Sequence, residues 1–374
     1  MTHRTLVIGG TGPTGPHLVH GLVERGHDVT ILHTGRHEID DLPDVPHLHG
    51  DPFDQQSVTD IVAGRSFDTV IATYGRVRVL AEEFAGRCDH FVVVGGTPVY
   101  NGYLNPSAQV PTGVWMPVHE DDHPKVAPDD TGSAAGYRGA PIRRTEDAVF
   151  GLHEKGAFAA TYLRYPAVYG PRNPHPWEWT VVRRVLDARP WMILSDDGRG
   201  VFSRASARNA AHALLLAVDR PEVSGGRAYN VADDTVLSIR QWAEIVSEAA
   251  GRVLPIRSLP GEIPSPGWAV IAFNYQATAS CVLDTTRLRE DLGYQDVQTV
   301  KEGIRETVDW MLANREQIDA DPNVLDPFDY AAEDRLMAAY DRMVLDLAPL
   351  VEPFTSGLRD MTTPQTAKGA GSDR

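Results

Sequence analysis

The 374-residue chain contains only two cysteines, Cys88 and Cys281, and neither belongs to a CxxC pair. A disulfide framework and a cysteine-based zinc site are therefore excluded as the basis of the fold. Two isolated thiols fit a reducing compartment. Residues Met1 to Arg4 lead directly into the apolar Leu6-Val7-Ile8 without a charged leader or a cleavage site, so we expect a cytoplasmic protein.

Long apolar runs and a surplus of basic residues are also missing. No run approaches the roughly 20 residues that cross a bilayer, which argues against a membrane partner. The 35 basic and 51 acidic residues give a net charge of −16, so no basic field is available for nucleic acid. With 42% hydrophobic and 23% charged residues, the composition is that of a globular protein. We expect its partner to be a small-molecule substrate.

Short apolar runs alternate with helix-like stretches over the first hundred residues, a rhythm typical of successive βαβ units. A helix is predicted directly after the first run, with Pro16 in its first turn and Gly26 just past its end. Alternating strands and helices imply a parallel sheet covered on both faces. The strands are predicted at Leu6–Ile8, Val29–Leu32, His47–His49, Thr69–Ala72, Phe91–Val94 and Ala160–Leu163.

A glycine-rich turn follows the first predicted strand and leads directly into the helix. Glycines spaced three apart allow a tight turn and let the backbone approach a pyrophosphate closely. The helix N-terminus then offers unpaired N–H groups to the phosphates. The motif favours dinucleotide binding, with a ligand-free glycine turn as the alternative. The candidate contacts are Gly9, Thr11, Gly12, Pro13, Thr14 and Gly15.

This turn is one of several segments that resemble the extended short-chain dehydrogenase/reductases, the group that contains NAD(P)-dependent epimerases and dehydratases. The others are Val99-Tyr100, Leu163-Arg164 with Val168-Tyr169-Gly170-Pro171, Asp284 to Leu288, and Leu292-Gly293-Tyr294. The resemblance covers roughly residues 4 to 315. It implies an α/β fold in which a Rossmann-type, doubly wound parallel sheet carries a smaller C-terminal α/β substrate lobe.

The resemblance, together with the periodicity and composition of the later residues, predicts four segments. Residues 1–170 form the dinucleotide-binding domain, to which later segments return, and residues 171–315 form the interleaved substrate lobe. Residues 316–354 add a helical segment, and residues 355–374 have too little apolar content to order themselves. Homodimers are common in the resembled family, so a homodimer is the oligomer that the resemblance suggests for this chain.

The coenzyme is predicted to be NADP(H) rather than NAD(H). An NAD site usually offers a carboxylate at the end of the second strand, whereas this strand ends in His33 and is followed by Arg36, which suits a 2′-phosphate. Arg36 as an ordinary solvated charge is the alternative. By resemblance, Asp51 corresponds to the family's adenine-contacting acid, and Thr73 lies in the segment that runs along the coenzyme.

The catalytic residues are inferred from the resemblance, which pairs a Ser or Thr with a Tyr and a Lys four residues later. Tyr137 is the candidate for proton transfer and Thr97 for the substrate oxygen. Pro141 stands where the lysine is expected, so a substitute cation must lower the phenol's pKa. Arg138, Arg143 and Arg144 are available, and Arg144 is proposed; solvated surface charges are the alternative reading of Arg143 and Arg144. Because Gly139 and Pro141 resist a continuous helix, we expect Tyr137 to precede the helix.

The sequence therefore predicts an NAD(P)-dependent enzyme that transfers hydride at a carbinol or carbonyl carbon, either with net redox change or as a redox-neutral epimerase or dehydratase. The alternative is a catalytically silent sensor of NADP(H), since both catalytic positions depart from the family pattern. The run from His119 to His123 contains metal-ligand residue types, but alternating loop acids are usually solvated, and we predict no metal site.

Overall fold

The structure is a computed structural model that describes residues 2–36, 38–104, 106–108, 110–263 and 280–355. Its strands are β1 Arg4–Ile8, β2 Asp28–His33, β3 His47–His49, β4 Thr69–Ala72, β5 His90–Gly96, β6 Ala159–Tyr165, β7 Ala167–Tyr169, β8 Met192–Ser195, β9 Val201–Phe202, β10 Arg204–Ser206, β11 Arg227–Asn230, β12 Leu237–Ser238 and β13 Ile256–Leu259. Its helices are α1 Gly15–Glu24, α2 Gln55–Ile61, α3 Val77–Glu83, α4 Ala134–Glu154, α5 Trp179–Leu186, α6 Ala207–Asp219, α7 Pro221–Ser224, α8 Ile239–Ala249, α9 Thr286–Leu292, α10 Val300–Ala313, α11 Arg315–Asp319 and α12 Tyr330–Thr355.

The main sheet is parallel and has the order β11-β6-β5-β4-β1-β2-β3. All six strands predicted from the sequence lie in it, which confirms the Rossmann-type expectation. The strand order reverses beside β1, and in open α/β sheets such a switch point creates a crevice at the carboxyl ends of the strands. The glycine turn after β1 therefore lies where a ligand crevice is expected.

Each face of this sheet has its own hydrophobic core because successive strand residues point to opposite sides. One core joins β1 and β2 to helices α1, α6 and α9, with Val7, Leu18 and Leu214 fully buried. The other joins the sheet to α2, α3 and α4, with Leu6, Ile8 and Leu80 fully buried. The parallel sheet is therefore covered on both faces, as its near-continuous apolar strands require.

Residues beyond β6 alternate between this sheet and smaller pairings. β11 returns to the main sheet beside β6, whereas β7 pairs with β10, β8 with β13 and β9 with β12. The same part of the chain contains helices α5, α6, α8 and α10. The second half of the chain thus both completes the main sheet and builds separate two-stranded units.

The described residues divide into two compact units, one that ends at Asp326 and one that begins at Pro327. Within the second unit, the helix expected after Pro327 is α12. The predicted tail, apart from Thr355, lies outside the described residues. No helix in the described part of the chain has the length and apolar character needed to cross a membrane.

Candidate active site

The glycine turn closes tightly between β1 and α1. Gly9 and Gly10 have φ values of +110° and +91°, which favour glycine, and Gly15 N–H donates to the Gly12 carbonyl at 3.0 Å. A Cβ on Gly15 would lie 2.0 Å from the Gly10 carbonyl oxygen, whereas a Cβ on Gly12 would meet nothing within 4 Å. Three glycines, Gly9, Gly10 and Gly15, therefore shape the turn, and Gly12 leaves open space beside the N-terminus of α1.

The remaining turn residues, Thr11, Pro13 and Thr14, are half-buried between the glycines. Thr14 precedes α1 without making a side-chain cap, and the first turn of the helix contains no acidic residue. The N–H groups at this end of the 10-residue helix thus have no carboxylate competing for them, a condition that favours an anionic ligand.

Arg36, Asp51 and Thr73 lie at the carboxyl ends of β2, β3 and β4 respectively. Arg36 is exposed, and its guanidinium makes no ion pair with any described residue. Asp51 is exposed and accepts the Phe53 N–H at 2.9 Å, while Thr73 donates its hydroxyl to the Ile8 carbonyl at 3.0 Å. The structure therefore brings the predicted coenzyme residues to one edge of the sheet, although Thr73 also fastens β4 to β1.

The sequence analysis did not single out an aromatic pair at this edge. Phe53 and Tyr74 are 43% and 51% exposed, and their rings meet edge to face at 5.0 Å between centroids. Tyr74 also lies beside the glycine turn, since a Cβ on Gly9 would approach Tyr74 Cβ to 3.3 Å. The signal was present in the sequence: each aromatic residue follows within two positions of a predicted coenzyme residue.

Thr97 begins a short 3₁₀ turn, Thr97–Val99, directly after β5. Its side chain is buried, and its carbonyl accepts the Tyr100 N–H at 3.0 Å. Helix α4 packs closely on this turn, because a Cβ on Gly139 would lie 2.4 Å from the Pro98 carbonyl oxygen. This close approach places the start of α4 beside Thr97.

The expectation that Tyr137 precedes the helix is wrong. Helix α4 begins at Ala134, because Ser133 caps it by accepting the Gly136 N–H at 2.8 Å. Pro141 lies inside the helix, where it lacks the N–H that would reach the Tyr137 carbonyl. Tyr137 therefore occupies the first turn, and its side chain is 79% exposed.

The third predicted catalytic residue, Arg144, lies seven positions after Tyr137 and so returns to the same side of α4, about 10 Å farther along it. Its guanidinium donates to the Pro128 carbonyl. Among the described residues, no hydrogen bond or ion pair links the Tyr137 phenol to a cation. The structure thus aligns the two side chains without joining them.

A buried polar cluster holds α4 against β6. Glu146 of α4 accepts hydrogen bonds from Lys125 at 2.7 Å and from Arg164 of β6 at 3.0 Å, and Arg164 also donates to the Tyr100 hydroxyl at 2.8 Å. Burial opposes the charged carboxylate, yet the hydrogen bonds and charge of Arg164 hold the Glu146 pKa below its usual value. Burial raises the pKa of Tyr100, whose hydroxyl donates to Asn230 at 2.6 Å. Tyr100 is therefore structural.

The segment from His119 to His123 disperses its side chains to different partners. His119 lies 3.6 Å from Asp284, Asp121 pairs with Arg287, and His123 contacts the Asn101 carbonyl at 2.7 Å. Within the described residues, metal-ligand side chains converge instead at His33, Glu38, His47 and His49. The sequence analysis missed this group because it depends on how β2 and β3 pair.

Comparison with known proteins identifies the first part of the chain most directly. Residues 5–86 match the family model described as the NAD dependent epimerase/dehydratase family. That segment contains the glycine turn and the ends of β2, β3 and β4 described above.

Curated relatives match over most of their own length. The chain is 27% identical to 3-diazoavenalumate denitrifying reductase of a Streptomyces species, over 78% of this chain and 95% of the relative. It is 24% identical to dTDP-glucose 4,6-dehydratase of Streptomyces niveus, over 83% and 94%. Among solved structures, UDP-glucose 4-epimerase from Bifidobacterium longum in complex with NAD+ and UDP superposes with a TM-score of 0.63 at 17% identity, covering 83% of this chain and 99% of the other.

Proposed function

We propose that the chain is an enzyme of the NAD dependent epimerase/dehydratase family, and that it uses NADP(H) to transfer hydride at a carbinol or carbonyl carbon of a small substrate. The observation that carries this proposal is the open space above Gly12 at the N-terminus of α1. The phosphate oxygens of a diphosphate bound there would accept hydrogen bonds from backbone N–H groups of the turn Gly9–Gly15.

The bound nicotinamide coenzyme supplies the hydride donor or acceptor that this chemistry requires. The chain's own part is to hold and orient it. In the proposed site, Asp51 contacts the adenine, Phe53 and Tyr74 offer apolar ring faces at the same edge, and Thr73 borders the coenzyme where β4 ends. These groups are exposed or half-buried at one edge of the sheet, so a ligand can reach them.

The preference for NADP(H) rests on the end of β2. His33 stands at the strand end in place of a carboxylate, and Arg36 is exposed three residues later. The nearest following acid, Glu38, lies within 3.7 Å of His33, 3.5 Å of His47 and 3.1 Å of His49. Because three imidazoles surround Glu38, we expect Arg36 rather than Glu38 to face the ribose and to bind a 2′-phosphate.

For the chemical step, we assign the substrate oxygen to the Thr97 hydroxyl and proton transfer to the Tyr137 phenol. Their elements are packed together through Gly139 and Pro98. Arg144 is the cation that we assign to this face of α4, where its charge would favour the phenolate form of Tyr137. The relatives are described as a reductase and a dehydratase, and they give no support to the silent sensor.

Tyr137→Phe tests this assignment. The protein is incubated with NADPH and a panel of carbonyl compounds and nucleotide sugars, and both the nicotinamide absorbance and the products are followed. Loss of one general acid or base is expected to lower turnover by about 100-fold or more. Folding should be unchanged because the side chain is 79% exposed. Tyr340→Phe on α12 is the control.

Three outcomes of that experiment separate the possibilities. Turnover that changes the absorbance and is lost in Tyr137→Phe supports net redox chemistry. Product formation without net absorbance change, lost in the same variant, supports redox-neutral epimerase or dehydratase chemistry. Unchanged turnover in Tyr137→Phe would contradict the role of Tyr137 in either case.

A homodimer and a cytoplasmic location remain proposals. Helices α3 and α4 present Arg76, Arg78, Glu82 and Asp147 along one groove, and this mixture of charges is compatible with pairing of two copies. Light scattering would distinguish a particle of 41.0 kDa from one of twice that mass.

A further inference from the structure

Three histidines and one glutamate converge at the outer edge of the main sheet, on β2, β3 and the loop between them. Their ligand atoms all lie within 4.8 Å of one another. We propose that His33, Glu38, His47 and His49 form a binding site for a divalent transition metal ion, with Zn²⁺ as the best match. This inference does not depend on the proposed function.

The pairing of the two strands creates the cluster. β2 and β3 are parallel, and His33 lies directly opposite His49 in the register. His47 and His49 are two residues apart, so they point to the same face of β3. Because cross-strand partners share a face as well, all three imidazoles project to one side of the sheet.

The turn after β2 brings the fourth ligand to the same place. Gly35 has a φ of +71°, and a Cβ there would lie 3.4 Å from the His49 ring, so the chain crosses close to that imidazole. The loop then returns Glu38 to the three histidines. Arg36, the proposed 2′-phosphate ligand, lies between the first two metal ligands in the sequence.

Four distances between ligand atoms, from 3.0 to 3.7 Å, are close to the edges of a small metal tetrahedron. With metal–ligand bonds of about 2.0–2.2 Å, a tetrahedral site has ligand–ligand edges of about 3.3–3.6 Å. His33 Nε2 lies 3.0 Å from His47 Nδ1 and 3.7 Å from Glu38 Oε1. Glu38 Oε1 also lies 3.1 Å from His49 Nε2, and the second oxygen of the carboxylate, Oε2, lies 3.5 Å from His47 Nδ1.

The donor set also selects the kind of metal. Three imidazole nitrogens and one carboxylate oxygen suit Zn²⁺ and its neighbours in the first transition row, whereas Mg²⁺ and Ca²⁺ prefer oxygen ligands throughout. His33 is buried and His49 is 57% exposed, so one side of the cluster is fixed in the protein and the other is open to an entering ion. The Gly35 N–H lies 3.3 Å from His33 Nδ1, and this weak hydrogen bond must open when Nε2 binds the metal.

Metal titration of the full chain tests the proposal. The protein is prepared without a histidine tag, stripped with a chelator and titrated with Zn²⁺ by calorimetry and with Co²⁺ by visible absorption. We expect one equivalent of Zn²⁺ and the intense visible bands of four-coordinate Co²⁺. Zn²⁺ should also raise the melting temperature, because it binds the folded state.

His49→Gln is the decisive variant because its exposed side chain can be replaced without disturbing the fold. It should weaken Zn²⁺ binding by about 100-fold and abolish the Zn²⁺-dependent rise in melting temperature. His175→Gln, an exposed histidine outside the cluster, should bind Zn²⁺ as the parent does. Equal binding by His49→Gln and the parent, several weak equivalents, or a six-coordinate Co²⁺ spectrum would overturn the proposal.

Discussion

The coenzyme edge of the sheet and the polar cluster behind α4 contain similar residue types in opposite circumstances. At the coenzyme edge, Arg36 and Asp51 are exposed, and Gly12 faces open space. Behind α4, Arg164 and Glu146 are almost completely buried and paired with each other. The contrast indicates that the first set is available to a ligand, whereas the second set holds in place the helix that carries Tyr137.

The largest expected effect comes from breaking the buried cluster. Glu146→Ala leaves the Arg164 guanidinium buried without its carboxylate, which should lower the free energy of unfolding by about 3–5 kcal/mol. Asp147→Ala is the matched control. Asp147 follows Glu146 on α4 and pairs with Arg143 at the surface, so it should contribute at most about 1 kcal/mol to the free energy of unfolding. Urea unfolding measures both. Equal losses would contradict the distinction between the two regions.

Glu178 is a second buried acid, and its pKa is shifted in the opposite direction from that of Glu146. Burial raises the pKa of Glu178 to about 7, although Arg204 opposes this, and its Oε2 has no hydrogen-bond partner among the described residues. An acid whose pKa is higher in the folded state stabilises the fold at low pH. That contribution is complete below the unfolded pKa of about 4.5 and is lost as the pH rises through about 7.

The parent protein should therefore lose about 2 kcal/mol of unfolding free energy between pH 5 and pH 8 that Glu178→Gln does not lose. Urea unfolding at the two pH values gives this difference directly. The same pH dependence in both proteins would mean that Glu178 is charged throughout the range in the folded state.

At the coenzyme edge, two glycines of one turn should respond differently to the same substitution. Gly15→Ala places a Cβ 2.0 Å from the Gly10 carbonyl oxygen, so both stability and coenzyme binding should fall. Gly12→Ala meets no protein atom within 4 Å, so the melting temperature should hold while NADPH affinity falls about tenfold or more. Unchanged NADPH affinity in Gly12→Ala would place the diphosphate elsewhere.

The smallest expected effect concerns the choice of coenzyme. Arg36→Gln should weaken NADPH binding by about tenfold and leave NADH binding unchanged, because only NADPH has the 2′-phosphate. Arg65→Gln, another exposed arginine, is the control. A parallel loss of both coenzymes, or of neither, would remove Arg36 from the ribose site.

The sequence was most informative where one local pattern determined the structure. The strands at residues 47–49 and 69–72 have the predicted bounds, and the glycine turn lies at the predicted strand end. The start of α4 was mispredicted because propensity rules weighed Pro141 more heavily than the cap at Ser133 and the packing of Gly139 on Pro98. The histidine cluster was not predicted because its ligands are brought together by the register of β2 and β3. A single sequence does not display strand register.

Calorimetric titration of the full chain with NADPH, NADH and their oxidised forms measures coenzyme binding at the glycine turn. We expect one coenzyme bound per chain, with NADPH bound more tightly than NADH. Absence of binding heat for all four forms, on protein shown to be folded, would contradict the coenzyme site at the glycine turn and the function built on it.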